Sequence, residues 1–177
     1  MIELISPDTA YEAEFLAMLE DYRREKEYYG FHDGAQVDFP KYVLRQVEQA
    51  SGYRLPLRYV PQSTYWLVKD RQRLLGESRL RHRLSPWLAE QGGHIGYNIR
   101  PTFRSQGFGT LILKLTLEKA RGLGLTRVFL TCDTDNFASA RIIEKNGGEL
   151  QAKIISSQTG KMISQYWIDL EPTQELP

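Results

Sequence analysis

The chain has 177 residues, 41% hydrophobic and 25% charged, enough apolar content for a buried core and too much for whole-chain disorder. Its 23 Lys and Arg face 22 Asp and Glu, a formal charge of +1, which argues against a protein held to nucleic acid by counterion release. Cys132 is the only cysteine and His32, His82 and His94 are scattered, so an internal disulfide and a multi-cysteine metal site are excluded, and no H-x-x-x-H spacing occurs. The opening MIELISPDTA has no basic segment followed by an apolar run, so no signal peptide is expected. The most apolar window, Phe108 to Leu117, is interrupted by Lys114 and falls short of the ~20 residues that span a bilayer. A soluble cytoplasmic protein is the expectation.

Met1 to Ile5 reads as a short edge strand, and Ser6-Pro7-Asp8 as a turn into a helix. From Ala10 to about Tyr29, the apolar residues Tyr11, Phe15, Met18, Leu19 and Tyr22 recur at three- and four-residue steps, one helical face, with Gly30 as the stop. Phe39-Pro40 opens a second helix carrying Tyr42, Val43, Val47 and Ala50, and Tyr53 to Pro61 is an irregular connector. Tyr65 to Val68 and Leu74 to Leu84 form two strands around a polar turn, and in the second Glu77, Arg79, Arg81 and Arg83 share one face at period two.

A third strand runs from His94 to Arg100 and ends at Pro101. Phe108 to Leu123 is the clearest helix, stopped by Gly122 and Gly124. Arg127 to Cys132 is apolar on both faces, as a strand inside a sheet would be. Asn136 caps a helix running through Lys145, and Glu149 to Ser156 with Met162 to Leu170 closes the chain as a hairpin. The tail 171–177 is expected to be loose. One α/β domain over 1–177 results, with residues 1–60 as an N-terminal strand and two helices and 93–148 as the part that carries chemistry.

That part centres on Arg104-Ser105-Gln106-Gly107-Phe108-Gly109-Thr110, where a loop opens the strongest helix. Free amides at the positive end of a helix, with glycines that let an anion approach, make a phosphate cradle. A plain turn that uses glycine only for positive φ is the competing reading. A P-loop is excluded because no lysine follows the glycines, and a dinucleotide fingerprint because Ile112 stands where a third small residue belongs. The pattern Arg/Gln-x-x-Gly-x-Gly/Ala fits without a gap.

On these residues, and on Asn136 to Gly148 with Ser139, Glu144 and Lys145 at matching positions, the chain resembles the GNAT superfamily of acetyl-CoA-dependent N-acetyltransferases. The resemblance implies an α/β fold with a mixed, mostly antiparallel twisted sheet of about six to seven strands and about four helices. Its fourth and fifth strands, ending here at Arg100 and Cys132, would be parallel and splayed. It also implies that Tyr97, Asn98 and Ile99 pair with the pantetheine arm, the Ile99 amide lying near the thioester carbonyl. The segment from Arg104 through Ser105, Gln106, Gly107, Phe108, Gly109 and Thr110 would hold the pyrophosphate, largely by main-chain amides. Asn136 would reach the pantetheine chain, and Ser139 with Arg141 or Lys145 would face the nucleotide end. Residues 1–60 would carry the acceptor lip, whose Tyr28, Tyr29, Phe31 and Phe39 mix with Glu25, Glu27, Asp33 and Asp38 in a way that suits a cationic amine.

The match breaks at proton handling. Ile143 stands where many members have a tyrosine acid, and Thr131 where many have a glutamate base. Asp133, Glu77 and His94 are the replacement candidates; Glu77, among arginines, reads more simply as a paired surface charge, and the basic Lys69 to Arg83 hairpin as a solvated sheet face, with an anionic acceptor or a nucleic-acid surface as its functional alternative. The expected reaction is acetyl transfer from acetyl-CoA, as co-substrate and without metal, to a primary amine by direct attack. A small-molecule acceptor is favoured over a protein, with no nucleic-acid or membrane partner and a homodimer left open. A non-catalytic acyl-CoA-binding module on the same fold is the alternative.

Overall fold

The computed structural model describes residues 1–53, 55–56 and 59–170, so the tail expected to be loose and part of the irregular connector lie outside the described residues. Seven strands and five α-helices follow in the order β1 (Ile2–Ile5), α1 (Glu12–Arg24), α2 (Phe39–Ser51), β2 (Gln62–Lys69), β3 (Arg73–Arg81), α3 (Pro86–Glu90), β4 (Ile95–Ile99), α4 (Phe108–Gly122), β5 (Arg127–Asp133), α5 (Phe137–Lys145), β6 (Glu149–Ile155) and β7 (Met162–Asp169). The short α3, capped by Ser85, is the one helix beyond those expected. No helix among the described residues is long and apolar enough to cross a membrane.

Local chemistry sets most boundaries. The Asp38 side chain accepts the Lys41 amide to start α2, and Asn136 accepts the Ser139 amide to start α5. Helix α1 stops five residues before its expected end at Tyr29. Lys26 takes a left-handed conformation (φ 59°), the Glu27 amide reaches back to the Tyr22 carbonyl and the Lys26 amide to that of Arg23. That is a Schellman ending with lysine in the place glycine usually holds. It turns the following aromatics back over the helix instead of extending it.

The strands form two antiparallel ladders, β1-β2-β3-β4 and β5-β7-β6. Helices α1 and α2 cover one face of the first, where Phe15, Met18, Tyr22, Phe39, Tyr42, Trp66, Val68 and Leu74 pack together. Helix α4 covers the other through Leu67, Leu75 and Ile112, and a third cluster including Leu80, Ile95, Leu113, Leu130, Ile143 and Tyr166 links both ladders to α4 and α5. Alternation along β2, with Trp66 and Val68 up and Leu67 down, is the period-two signature of a sheet buried on both sides. In β3 the alternation breaks: Leu67 pairs with Gly76 and Val68 with Leu74, so Leu75 is an extra residue. This bulge shifts the phase of everything after it.

Strands β4 and β5 share no ladder. They meet where the His94 amide donates to the Phe129 carbonyl (2.7 Å) and the Phe129 amide donates to His94 Nδ1 (2.9 Å). Three residues further along each strand, Cys132 lies in a buried cluster against which Tyr97 packs, so both strands run from the junction towards the same cluster. The α/β fold with seven strands agrees with expectation, while the expected mixed sheet is divided at the splay into two antiparallel halves.

Candidate active site

Helix α4 begins without any side-chain cap, unlike α2, α3 and α5. The chain enters it through two residues of positive φ, Ser105 (61°) and Gly107 (84°). A Cβ on Gly107 would meet nothing within 4 Å, so this residue borders open space, and no side chain caps the amides of the first turn. Gly109 has a different task. A Cβ there would lie 2.5 Å from Ile142 Cδ1, so this glycine lets α4 pack against α5. Arg104 holds the loop from outside: its Nε donates to the Ile99 carbonyl (3.1 Å) and its guanidinium grips both Glu27 oxygens (2.6 and 2.7 Å). The Arg104 hydrogen bond keeps the Glu27 carboxyl below its usual range. Gln106 reaches back to the Thr102 carbonyl. An uncapped helix start opened by positive φ fits a diphosphate, and the first-turn amides of α4 are the groups that would hold it.

The end of β4 faces this helix start. Ile99 Cγ1 lies 4.0 Å from where a Gly109 Cβ would be, and the Tyr97 hydroxyl bonds Ser139 Oγ (3.0 Å) at the start of α5. Burial pushes the Tyr97 phenol up to about 12, the Ser139 contact offsetting part of the shift. Tyr97, Ile99, Gly107, Gly109 and Ser139 are thus gathered at one mouth between the ladders. Asn136 spends its oxygen on the Ser139 amide. Arg141 and Lys145 are exposed one turn apart on α5. Asn98 turns to the opposite face, towards its cross-strand neighbour Glu77.

Neither Asp133 nor His94 stands free for proton handling. Asp133 pairs with Lys161 Nζ (3.1 Å), and His94 Nδ1 is occupied by the Phe129 amide. Burial and the Arg81 charge lower the His94 pKa, which favours the neutral ring that this bond requires. The Thr131 hydroxyl accepts the Gly92 amide (2.9 Å), and Ile143 is buried. Among the described residues no group of three or more His, Cys, Asp or Glu could hold a metal ion.

The expectation for Glu77 is corrected. It is 1% exposed, and its Oε1 lies 2.7 Å from Nε2 of buried His32. Burial raises the Glu77 pKa, but the His32 charge and hydrogen bond, with Arg79 and Asn98, outweigh it and hold the carboxyl below its usual range. Nor is the basic hairpin a solvated face throughout. Arg81 donates to the carbonyls of Gly92 and Gly93, and the Arg79 guanidinium lies 3.3 Å from the centre of the Phe31 ring. The cause is the bulge at Leu75, which puts 77 and 79 on the face that α1, α2 and the turn Gly30–His32 cover. His32 stands 45 positions before Glu77, so no local spacing could have linked them.

Comparison with known proteins gives a consistent picture. A family model described as an acetyltransferase (GNAT) domain matches residues 8–149. No curated protein matches the sequence. Among solved structures, the acetyl transferase from Salmonella typhimurium that modifies the N-terminal serine of ribosomal protein L7/L12 superposes with a TM-score of 0.69 at 15% identity, covering 96% of this chain and 95% of that one. The microcin C7 self-immunity acetyltransferase MccE, in complex with acetyl-CoA and AMP, gives 0.71 at 14% identity over 96% and 92%. A chimera of the Vibrio cholerae spermidine N-acetyltransferase SpeG with hSSAT gives 0.63 at 11% identity over 95% of each chain.

Proposed function

The chain belongs to the GNAT acetyltransferase family, and from that premise we propose that it transfers an acetyl group from acetyl-CoA to a primary amine by direct attack. The carrying observation is the uncapped, glycine-opened start of α4 facing the unpaired side of β4. When bound, the thioester supplies the activated acetyl group. The protein's own contribution is orientation: first-turn amides of α4 on the diphosphate, the edge of β4 from Tyr97 to Ile99 along the amide-bearing arm, and the Ile99 N–H near the carbonyl. Asn136, Ser139, Arg141 and Lys145 are assigned to the same ligand. Asp133 and His94 remain the proposed proton acceptors only if their present partners release them.

Structural neighbours act on acceptors as different as a ribosomal protein and spermidine. A small cytoplasmic amine is our reading here, because the face beyond β4 is roofed by the protein's own aromatic turn. Thr131 and Ile143 favour a second reading, a module that binds acyl-CoA without turning it over. Thiol release across a panel of amines separates the two. Calorimetric titration with CoA tests the site itself, and unchanged affinity in Gly107→Val would overturn it.

A further inference from the structure

Four buried polar atoms beneath the turn Gly30–His32 have no hydrogen-bond partner: Tyr22 Oη, Glu77 Oε2, Arg79 Nε and Asn98 Nδ2. Buried groups that the protein itself leaves unpaired are costly, and so many in one place call for an explanation. Glu77 uses one oxygen on His32 and keeps the other free. The Asn98 amide leans towards the carboxylate across the β3–β4 ladder without closing a hydrogen bond. Arg79 sits between the Phe31 ring and Gly96, where a Cβ would come within 3.4 Å of Nη2. Among the described residues no carboxylate closes an ion pair with it; it feels Glu77 only through space. The site therefore holds the Glu77 carboxylate, bonded to His32 through one oxygen only, and the Arg79 guanidinium, each with an unsatisfied atom, side by side on one strand face.

We infer that this cluster is the acceptor site, and that it takes a small amine also carrying a carboxylate: the ammonium on Glu77 Oε2 and the carboxylate on Arg79 Nε, with Asn98 and Tyr22 beside them. Residues two apart on a strand are separated by about 6.7 Å, a span that an amine and a carboxylate a few atoms apart can bridge. A polyamine would set a second positive charge against Arg79. A peptide N-terminus would offer it only a neutral carbonyl and leave its charge unmatched. A zwitterion answers both. The inference rests on the acetyl-CoA reading of β4, because Glu77 is the paired neighbour of Asn98 and so brings the amine beside that strand. The roof is a three-residue turn bearing Phe31 and His32, and the acceptor enters by lifting it.

The test compares free L-amino acids with, for each, its amide and its decarboxylated amine. Thiol release is measured on the wild-type protein, and calorimetric binding on the CoA-loaded protein. The free acids should exceed both analogues at least tenfold in kcat/KM and in affinity, because a site built to pair a group rejects the analogue that lacks it. In Arg79→Gln that ratio should fall towards one while CoA affinity stays unchanged, and Arg79→Lys should restore part of it. Amides or simple amines that match the acids on the wild type overturn the inference, as does a preference that survives Arg79→Gln. Tight binding of the free acids with no thiol release would support the site and sink the transferase reading instead, so the two failures are distinct.

Discussion

Tyr97 joins the two halves of the candidate site, since its backbone lies on the exposed side of β4 and its hydroxyl bonds Ser139 at the start of α5. Burial raises its pKa to about 12 from the ordinary 10.0, so between those values the folded chain holds a proton that the unfolded chain has lost. Stability from this residue is complete below pH 10 and drains away as pH rises towards 12. Tyr29, also pushed up to about 12, acts in the same direction. Urea unfolding at pH 8 and pH 11 should show a loss of ~1–3 kcal/mol, and Tyr97→Phe should reduce that slope. The same residue tests proton handling. With Ile143 in place of the family's usual acid, the rate should rise with pH towards the pKa of the acceptor amine. A bell-shaped kcat profile whose alkaline limb vanishes in Tyr97→Phe would instead make this tyrosine the acid.

Between elements, the two glycines at the start of α4 separate ligand approach from packing. Gly107 is left-handed and borders open space, so Gly107→Val strains the backbone by roughly 1–2 kcal/mol and fills the approach to the amides. Its expected signature is at least a tenfold loss of CoA affinity with modest loss of stability. Gly109→Val drives a side chain into Ile142, and overpacking of that kind costs about 1–3 kcal/mol. The double variant with Ile142→Ala should recover part of that stability in thermal unfolding, a rescue not expected for Gly107→Val. The pattern Gly-x-Gly reads as one motif in the sequence. One glycine is required by its own left-handed backbone, the other by a neighbour on a helix more than thirty residues away.

Across the whole molecule, the two ladders depend on His94, whose amide and ring both bond Phe129. Burial and Arg81 lower its pKa from the ordinary 6.5, so the unfolded chain takes up a proton before the folded one does. Stability from the junction is present above pH 6.5 and is lost as pH falls through the lower folded value. Denaturant unfolding at pH 7.5 and 5.0 should expose this loss. His94→Ala should lower stability at pH 7.5 by roughly 1–3 kcal/mol, by stranding the Phe129 amide, and should flatten the acid slope. The latch from Arg104 to Glu27 works at the same scale, tying the proposed diphosphate loop to the chain that roofs Glu77.

The sequence alone carried the order of the strands and of every α-helix but the short α3, the cap at Asn136, and the glycine-opened start of α4, because each depends on neighbours a few positions apart. Family membership was legible for the same reason, in contiguous motifs from Arg104 to Thr110 and from Asn136 to Gly148. The early end of α1 was not, since Lys26 in a left-handed turn has no compositional mark. Nor was the environment of Glu77. Period two grouped it correctly with Arg79 and Arg81, but a period names a shared face and not what covers that face. The extra residue at Leu75 decided which side the group took, and the turn bearing His32 closed over it from 45 positions away. Pairings of that range are fixed only when the helices pack, so the charges that read as surface became the buried heart of the proposed acceptor site.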